Sequence, residues 1–133
     1  MEGQEPLVRG PETIVFGNDG ELYLLTEASN LVLLSDFAED RTTQRISAKA
    51  TLVADLGLGR PLGGRIAPDG TLWIADSVLG LTRLKNPTNP ESKVEIVASR
   101  VFDQGEWTSI GMADDVTVGP KTGKIYFTDG TSM

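Results

Sequence analysis

Cysteine and histidine are both absent from this sequence. Without thiolate or imidazole there is no disulfide, no Cys nucleophile, no Ser-His triad and no zinc site of the usual kind. Any chemistry must come from carboxylates, hydroxyls, Lys, Arg or the backbone, and no disulfide marks an oxidising compartment. Positive charge is also scarce. Twelve Lys and Arg stand against 19 Asp and Glu, for a net charge of −7 and a pI near 4.5. Clustered Lys and Arg carry most nucleic-acid affinity, so this balance argues against nucleic acid and anionic membrane as partners. No window of about 20 apolar residues is present, so no membrane-spanning segment is expected. The opening stretch, Met1 to Arg9, holds Glu2, Glu5 and Pro6 and lacks the basic start and apolar run of a secretory leader. The expectation is a protein that is not exported, or a sequence whose leader is missing. Asn86-Pro87-Thr88 fails as a glycosylation sequon because proline takes its middle position.

What is present fits a soluble folded chain: 133 residues, 39% apolar and 23% charged, with no charge run long enough for a disordered tail. An internal repeat organises it. Asn18-Asp19-Gly20-Glu21-Leu22-Tyr23-Leu24, Pro68-Asp69-Gly70-Thr71-Leu72-Trp73-Ile74 and Lys121-Thr122-Gly123-Lys124-Ile125-Tyr126-Phe127 share one grammar. Each is a turn, a glycine, a spacer, an aliphatic, an aromatic and a further apolar residue. Gly20 and Gly70 lie 50 positions apart and Gly70 and Gly123 lie 53 apart, a period that suits a propeller blade.

Each unit reads as a hairpin. A strand such as Thr13 to Phe16 or Asp115 to Val118 enters, the glycine supplies the turn, and an apolar strand leaves: Leu22 to Leu25, Leu72 to Ala75 or Ile125 to Phe127. The continuous apolar character of the leaving strands suits burial on both faces. Further strands are expected at Leu31 to Leu34, Thr51 to Ala54, Gly80 to Leu84 and Val94 to Ala98. Polar connections are expected at Ser35 to Ala48 and Lys85 to Lys93, and no long amphipathic helix is visible. The fold class is therefore all-β, a β-propeller of four-stranded blades. Residues 1–9 form an amino-terminal extension. Residues 10–133 form a partial propeller with approximate blades 10–56, 57–110 and an incomplete 111–133. A ring of about four to eight blades cannot close within this count. Unpaired strand edges and an uncovered apolar face then favour self-association or instability.

Two stretches carry a family resemblance. Gly59-Arg60-Pro61-Leu62-Gly63 through Leu72-Trp73-Ile74-Ala75-Asp76 to Gly80-Leu81 resembles the GRPLG segment, LYIAD-type strand and following GL of the strictosidine synthase-like family. Asp114-Asp115-Val116-Thr117-Val118 to Ile125-Tyr126-Phe127-Thr128-Asp129 resembles its NDLDV and IYFTDSS signature, and Gly10-Pro11-Glu12 its GPE opening. The resemblance covers about residues 10 to 133. It implies a six-bladed propeller related to the SMP-30/gluconolactonase and arylesterase propellers, of which about two and a half blades are present.

The resemblance also implies a calcium ion in the central channel, whose first ligand falls at Glu12 and whose next falls at Asp114, where the family generally has Asn. Asp is a good hard oxygen ligand, and Ca²⁺ takes about six to eight oxygens, so the remainder must come from elsewhere. Read without the family, a Glu after Gly-Pro and an Asp pair before a strand are more often solvated turn carboxylates. Asp76 and Asp129 end the aromatic strands at matching positions, and that repetition favours acceptors of backbone donors over a catalytic pair. Tyr23, Trp73 and Tyr126 read as inter-blade core. Where arylesterase relatives carry a histidine base the chain has Leu62, so an imidazole-assisted mechanism loses its base. The late-blade catalytic glutamate of the synthases lies beyond Met133 by the same resemblance.

Two functional classes follow. In the first, a full-length parent acts on a small-molecule substrate, as a metal-dependent ester or lactone hydrolase or as a strictosidine synthase-type amine–aldehyde condensation enzyme. No catalytic residue is then expected in this chain. In the second, the propeller is a non-catalytic binding or scaffold protein, or the 133-residue chain is an inactive truncated product. The compartment is left open, although members of the family are often secretory.

Overall fold

A computed structural model describes residues 6–130. Part of the expected 1–9 extension and the last three residues of the third unit lie outside the described residues. Within them the regular structure is all strand. The first sheet pairs β1 (Pro11–Phe16), β2 (Leu22–Thr26), β3 (Asn30–Asp40) and β4 (Arg45–Asp55) in that order, each antiparallel to the next. The second repeats it with β5 (Pro61–Ile66), β6 (Leu72–Asp76), β7 (Gly80–Leu84) and β8 (Glu95–Ala98). A small hairpin, β9 (Arg100–Asp103) with β10 (Glu106–Ser109), precedes a two-stranded third sheet of β11 (Ala113–Val118) and β12 (Ile125–Asp129).

The repeated turn has a local cause. In the second sheet Ala67 donates to the Thr71 carbonyl (2.9 Å) and Gly70 donates back to the Ala67 carbonyl (2.9 Å). Gly70 sits at φ 88°, a left-handed value costly for a residue with a Cβ. The first turn matches it, with Gly20 at φ 87° donating to the Gly17 carbonyl. Asn18 ties the two turns together, its Nδ2 donating to the carbonyls of Ala67 (3.0 Å) and Pro68 (3.3 Å). Asp69 closes its turn by accepting the Thr71 N–H at 2.9 Å, and that bond, with a second from the Thr71 side chain, holds its carboxyl below the usual value. Because the folded value is depressed, this contribution to stability is present at neutral pH and is lost only as pH falls through the lowered value. A side-chain carboxyl NMR titration is expected to show Asp69 ionising at lower pH in the wild type than in a Thr71→Val variant.

Packing follows the pleat. Successive side chains of β1 point to opposite faces, so Val15 turns inward while Ile14 and Phe16 turn outward. Val15, Tyr23, Leu25 and Leu31 of the first sheet meet Leu72, Ile74 and Leu84 of the second in one buried cluster. Ala75 and Leu81 on the opposite face of the second sheet meet Ala113 and Val116 of the third. The first strands of the three sheets lie side by side, with β5 between β1 and β11.

One local expectation is revised, and two elements were not anticipated. The polar stretch Ser35 to Ala48 is a hairpin and not a connection: β3 and β4 continue pairing through Ala38↔Ser47, Glu39↔Ile46 and Asp40↔Arg45. Its outer part is exposed on both faces, so ladder hydrogen bonds and not burial hold it, and an apolar pattern was not required. The entering strand of the second sheet, β5, runs through Pro61-Leu62-Gly63-Gly64, a glycine-rich composition that propensity disfavours in a strand. The β9–β10 hairpin turns at Gln104 (φ 50°) and Gly105 (φ 85°), the double left-handed pair of a tight hairpin turn.

Candidate functional site at the bulged ends of the inner strands

Aligning the registers of the three inner pairs exposes a shared irregularity. Pro11 pairs with Thr26 and Thr13 with Leu25, so Glu12 is an extra residue. Pro61 pairs with Asp76 and Gly63 with Ala75, leaving Leu62 extra. Ala113 pairs with Asp129 and Val116 with Phe127, so Asp114 and Asp115 stand against Thr128 alone. Each inner strand thus carries one β-bulge at its start, and a bulge re-aims the side chain it contains. By this alignment Glu12, Leu62 and Asp114 occupy equivalent places, with Leu62 on the strand between the two acids.

The local partners differ. The Glu12 carboxylate accepts from Arg60 Nη2 at 3.2 Å, an ion pair across the seam between the first two sheets. A shallow cleft of about 550 Å³ beside it is lined by Pro11, Glu12, Thr13, Ile14 and Leu24. Asp114 is exposed, and Asp115 is fixed by its own N–H donating to Thr128 Oγ1 (3.0 Å) while its carboxylate accepts the Val116 N–H (2.8 Å). Among the described residues no group of three or more Asp, Glu, His or Cys could hold a metal ion. Glu12 and Asp114 are of the oxygen-donor type that a hard cation takes. Arg60 was not singled out from the sequence. Its signal was the repeat itself, which sets Arg60-Pro61-Leu62 against Gly10-Pro11-Glu12.

The other carboxylates have structural partners. Asp76 is buried, and its Oδ1 accepts the N–H groups of Arg60 (3.0 Å), Val78 (2.9 Å) and Leu79 (2.9 Å). Asp129 does the same in the third sheet, accepting from Gly111 and Met112 at 3.0 Å each. Both lace the strand end to the incoming inner strand. Of the three aromatics, Tyr23 is buried in the first seam and Trp73 packs on the second with the Arg83 guanidinium 5.6 Å from its ring centre. Tyr126 departs from the expected core role. It is 57% exposed, because no further sheet covers the far face of β12 among the described residues.

Another cleft, about 570 Å³, lies elsewhere, between the end of β4 and the β7–β8 connection. Val53, Leu56, Leu84, Asn89 and Val94 are among its lining residues, and neither Glu12 nor Asp114 is.

Four-stranded antiparallel sheets that repeat one topology and adjoin along their first strands define a partial β-propeller. The chain superposes on a solved structure of luciferin-regenerating enzyme, a β-propeller, with a TM-score of 0.60 over 95% of this chain and 39% of that one, at 18% identity. In sequence it is similar to proteins named adipocyte plasma membrane-associated protein. The chicken protein is 34% identical over 125 residues, 92% of this chain and 29% of that protein. The rat protein is 32% identical over 130 residues, 96% of this chain and 33% of that protein. The chain therefore spans about a third of the length of the curated relatives it matches. No family model matches it. Among the described residues no helix is long and apolar enough to cross a membrane.

Proposed function

We propose that the chain is part of a strictosidine synthase-like propeller whose full-length form is a metal-dependent hydrolase of small esters or lactones. One observation carries this reading: the inner strands of the first and third sheets each begin with a bulge, and the residues so placed are acids, Glu12 and Asp114. Two carboxylates at equivalent strand ends flanking β5 are the donor chemistry that a channel calcium requires, and the further oxygens would come from the rest of the propeller. When bound, such an ion supplies Lewis-acid polarisation of a carbonyl. Glu12 and Asp114 would hold and orient it, with Arg60 fixing the Glu12 carboxylate from the neighbouring sheet. Leu62 leaves no imidazole between them, so the residues described here supply positioning and not proton transfer.

The test uses the full-length polypeptide containing this segment. Calcium is expected to raise its Tm by mass action and to support hydrolysis of phenyl acetate or a simple γ-lactone. Glu12→Gln and Asp114→Ala are each expected to weaken calcium binding at least about tenfold, the loss seen even for outer-shell partners. A full-length protein whose Tm ignores calcium would leave the scaffold reading in its place.

A further inference from the structure

We infer that the cleft between the turns of the first two sheets binds a small organic amine in its ammonium form. The cleft measures about 230 Å³ and lies at the opposite end of β1 from Glu12. The first sheet supplies Asp19, Glu21 and Tyr23 as one wall, and the second sheet with its β7–β8 connection supplies Ile66, Asn86 and Pro87 as the other. Both walls adjoin within the described residues, and no Lys or Arg lines either of them.

The repeat separates what the turn needs from what it does not. Counted from the turn glycines at 20 and 70, Asp19 matches Asp69, Glu21 matches Thr71 and Tyr23 matches Trp73. Asp69 uses its carboxylate to hold the Thr71 N–H. In the first turn the roles are reversed: Glu21 Oε2 accepts the Asp19 N–H at 3.1 Å, and the Asp19 carboxylate accepts no hydrogen bond among the described residues. Gly17 makes room for this arrangement, since an added Cβ there would collide with the Glu21 carboxylate and stand 3.1 Å from Tyr23 Cε2. The hydroxyl end of the Tyr23 ring therefore lies beside the acids. Tyr23 is only 8% exposed, yet its hydroxyl has no hydrogen-bond partner among the described residues. A buried polar group in that state calls for a partner. Burial, and then the charges of Glu21 and Asp19, raise the Tyr23 pKa, and a cation seated among the three groups offsets that repulsion.

The donor count selects the class of cation. A primary ammonium carries three N–H donors, as a lysine head does, and two carboxylates with one hydroxyl oxygen match them. Ile66 and Pro87 give its carbon chain an apolar wall. Two carboxylates fall well short of the six to eight oxygens that Ca²⁺ takes, and no group of three or more Asp, Glu, His or Cys is found among the described residues.

The experiment is isothermal titration calorimetry of the full-length polypeptide containing this segment, in calcium-free buffer, with n-butylammonium chloride. Tetramethylammonium chloride at equal ionic strength supplies the charge without N–H donors. Saturable binding of n-butylammonium is expected, with Asp19→Asn and Tyr23→Phe each weakening it about tenfold or more, the loss of one charge-assisted hydrogen bond. Without amine, Tyr23→Phe is expected to keep the wild-type Tm, because the hydroxyl it removes has no partner in the fold. The inference is overturned by an absence of saturable binding, by equal affinity for tetramethylammonium, or by unchanged affinity in Asp19→Asn. A Tyr23→Phe protein that melts lower without amine overturns it as well, since the hydroxyl would then serve the fold. Glu12 and Asp114 take no part in these outcomes, so the calcium reading stands or falls separately.

Discussion

Gly63→Ala is expected to lower the stability of the chain by about 3 kcal/mol, the upper part of the range for overpacking a close-packed seam. The β5 strand threads between β1 and β11, and a Cβ at residue 63 would stand 2.7 Å from both the Asp114 carbonyl oxygen and Asp115 Cα. Those obstacles are backbone, held in the third sheet's bulge, and they cannot rotate away. Gly64→Ala provides the contrast. Its Cβ meets a Leu25 methyl at 2.5 Å and a Val15 methyl at 3.0 Å, both side-chain ends that can shift. Urea unfolding is the measurement: a lower midpoint with unchanged slope for both, and a distinctly larger loss for Gly63→Ala. Equal losses would mean that the third sheet yields as easily as a leucine side chain.

Asp76→Ala is expected to cost a similar amount, about 3 kcal/mol, because it leaves three backbone donors without their acceptor, each costing about 1–3 kcal/mol where water cannot replace it. Arg60, Val78 and Leu79 all donate to the same oxygen of this buried side chain. Asn retains an oxygen at that position but not the charge, and charge-assisted bonds are roughly twice as strong as neutral ones. Asp76→Asn is therefore expected to lose about half as much as Asp76→Ala in the same unfolding measurement. Gly63 and Asp76 lie at neighbouring rungs of the β5–β6 ladder, so their losses are not expected to add. Neither change touches Glu12 or Asp114 directly, yet both act on the strand between them.

The turn, strand and repeat were legible because they are local. Tyr23, Trp73 and Tyr126 fall at the same place in three matching pairs, and the glycines at 20, 70 and 123 all take left-handed φ values. The acceptor role of Asp76 and Asp129 was legible for the same reason, since repetition marks a part of each unit and not a single site. The outer β3–β4 hairpin was missed where its sequence turns polar: an exposed ribbon satisfies its backbone by pairing and needs no apolar alternation.

By itself, the sequence determined an all-β repeat of about 50 residues, because apolar runs and turn glycines are properties of neighbouring residues, whereas the two acids of the candidate site were named through the family resemblance. Only the tertiary structure decided that those acids sit on bulges, that Arg60 pairs with Glu12, that Gly63 and Gly64 are small because other strands press on them, and that Tyr126 lies open while Tyr23 is buried. Each of these depends on which sheet faces which, and residues far apart in the chain meet only when the sheets pack.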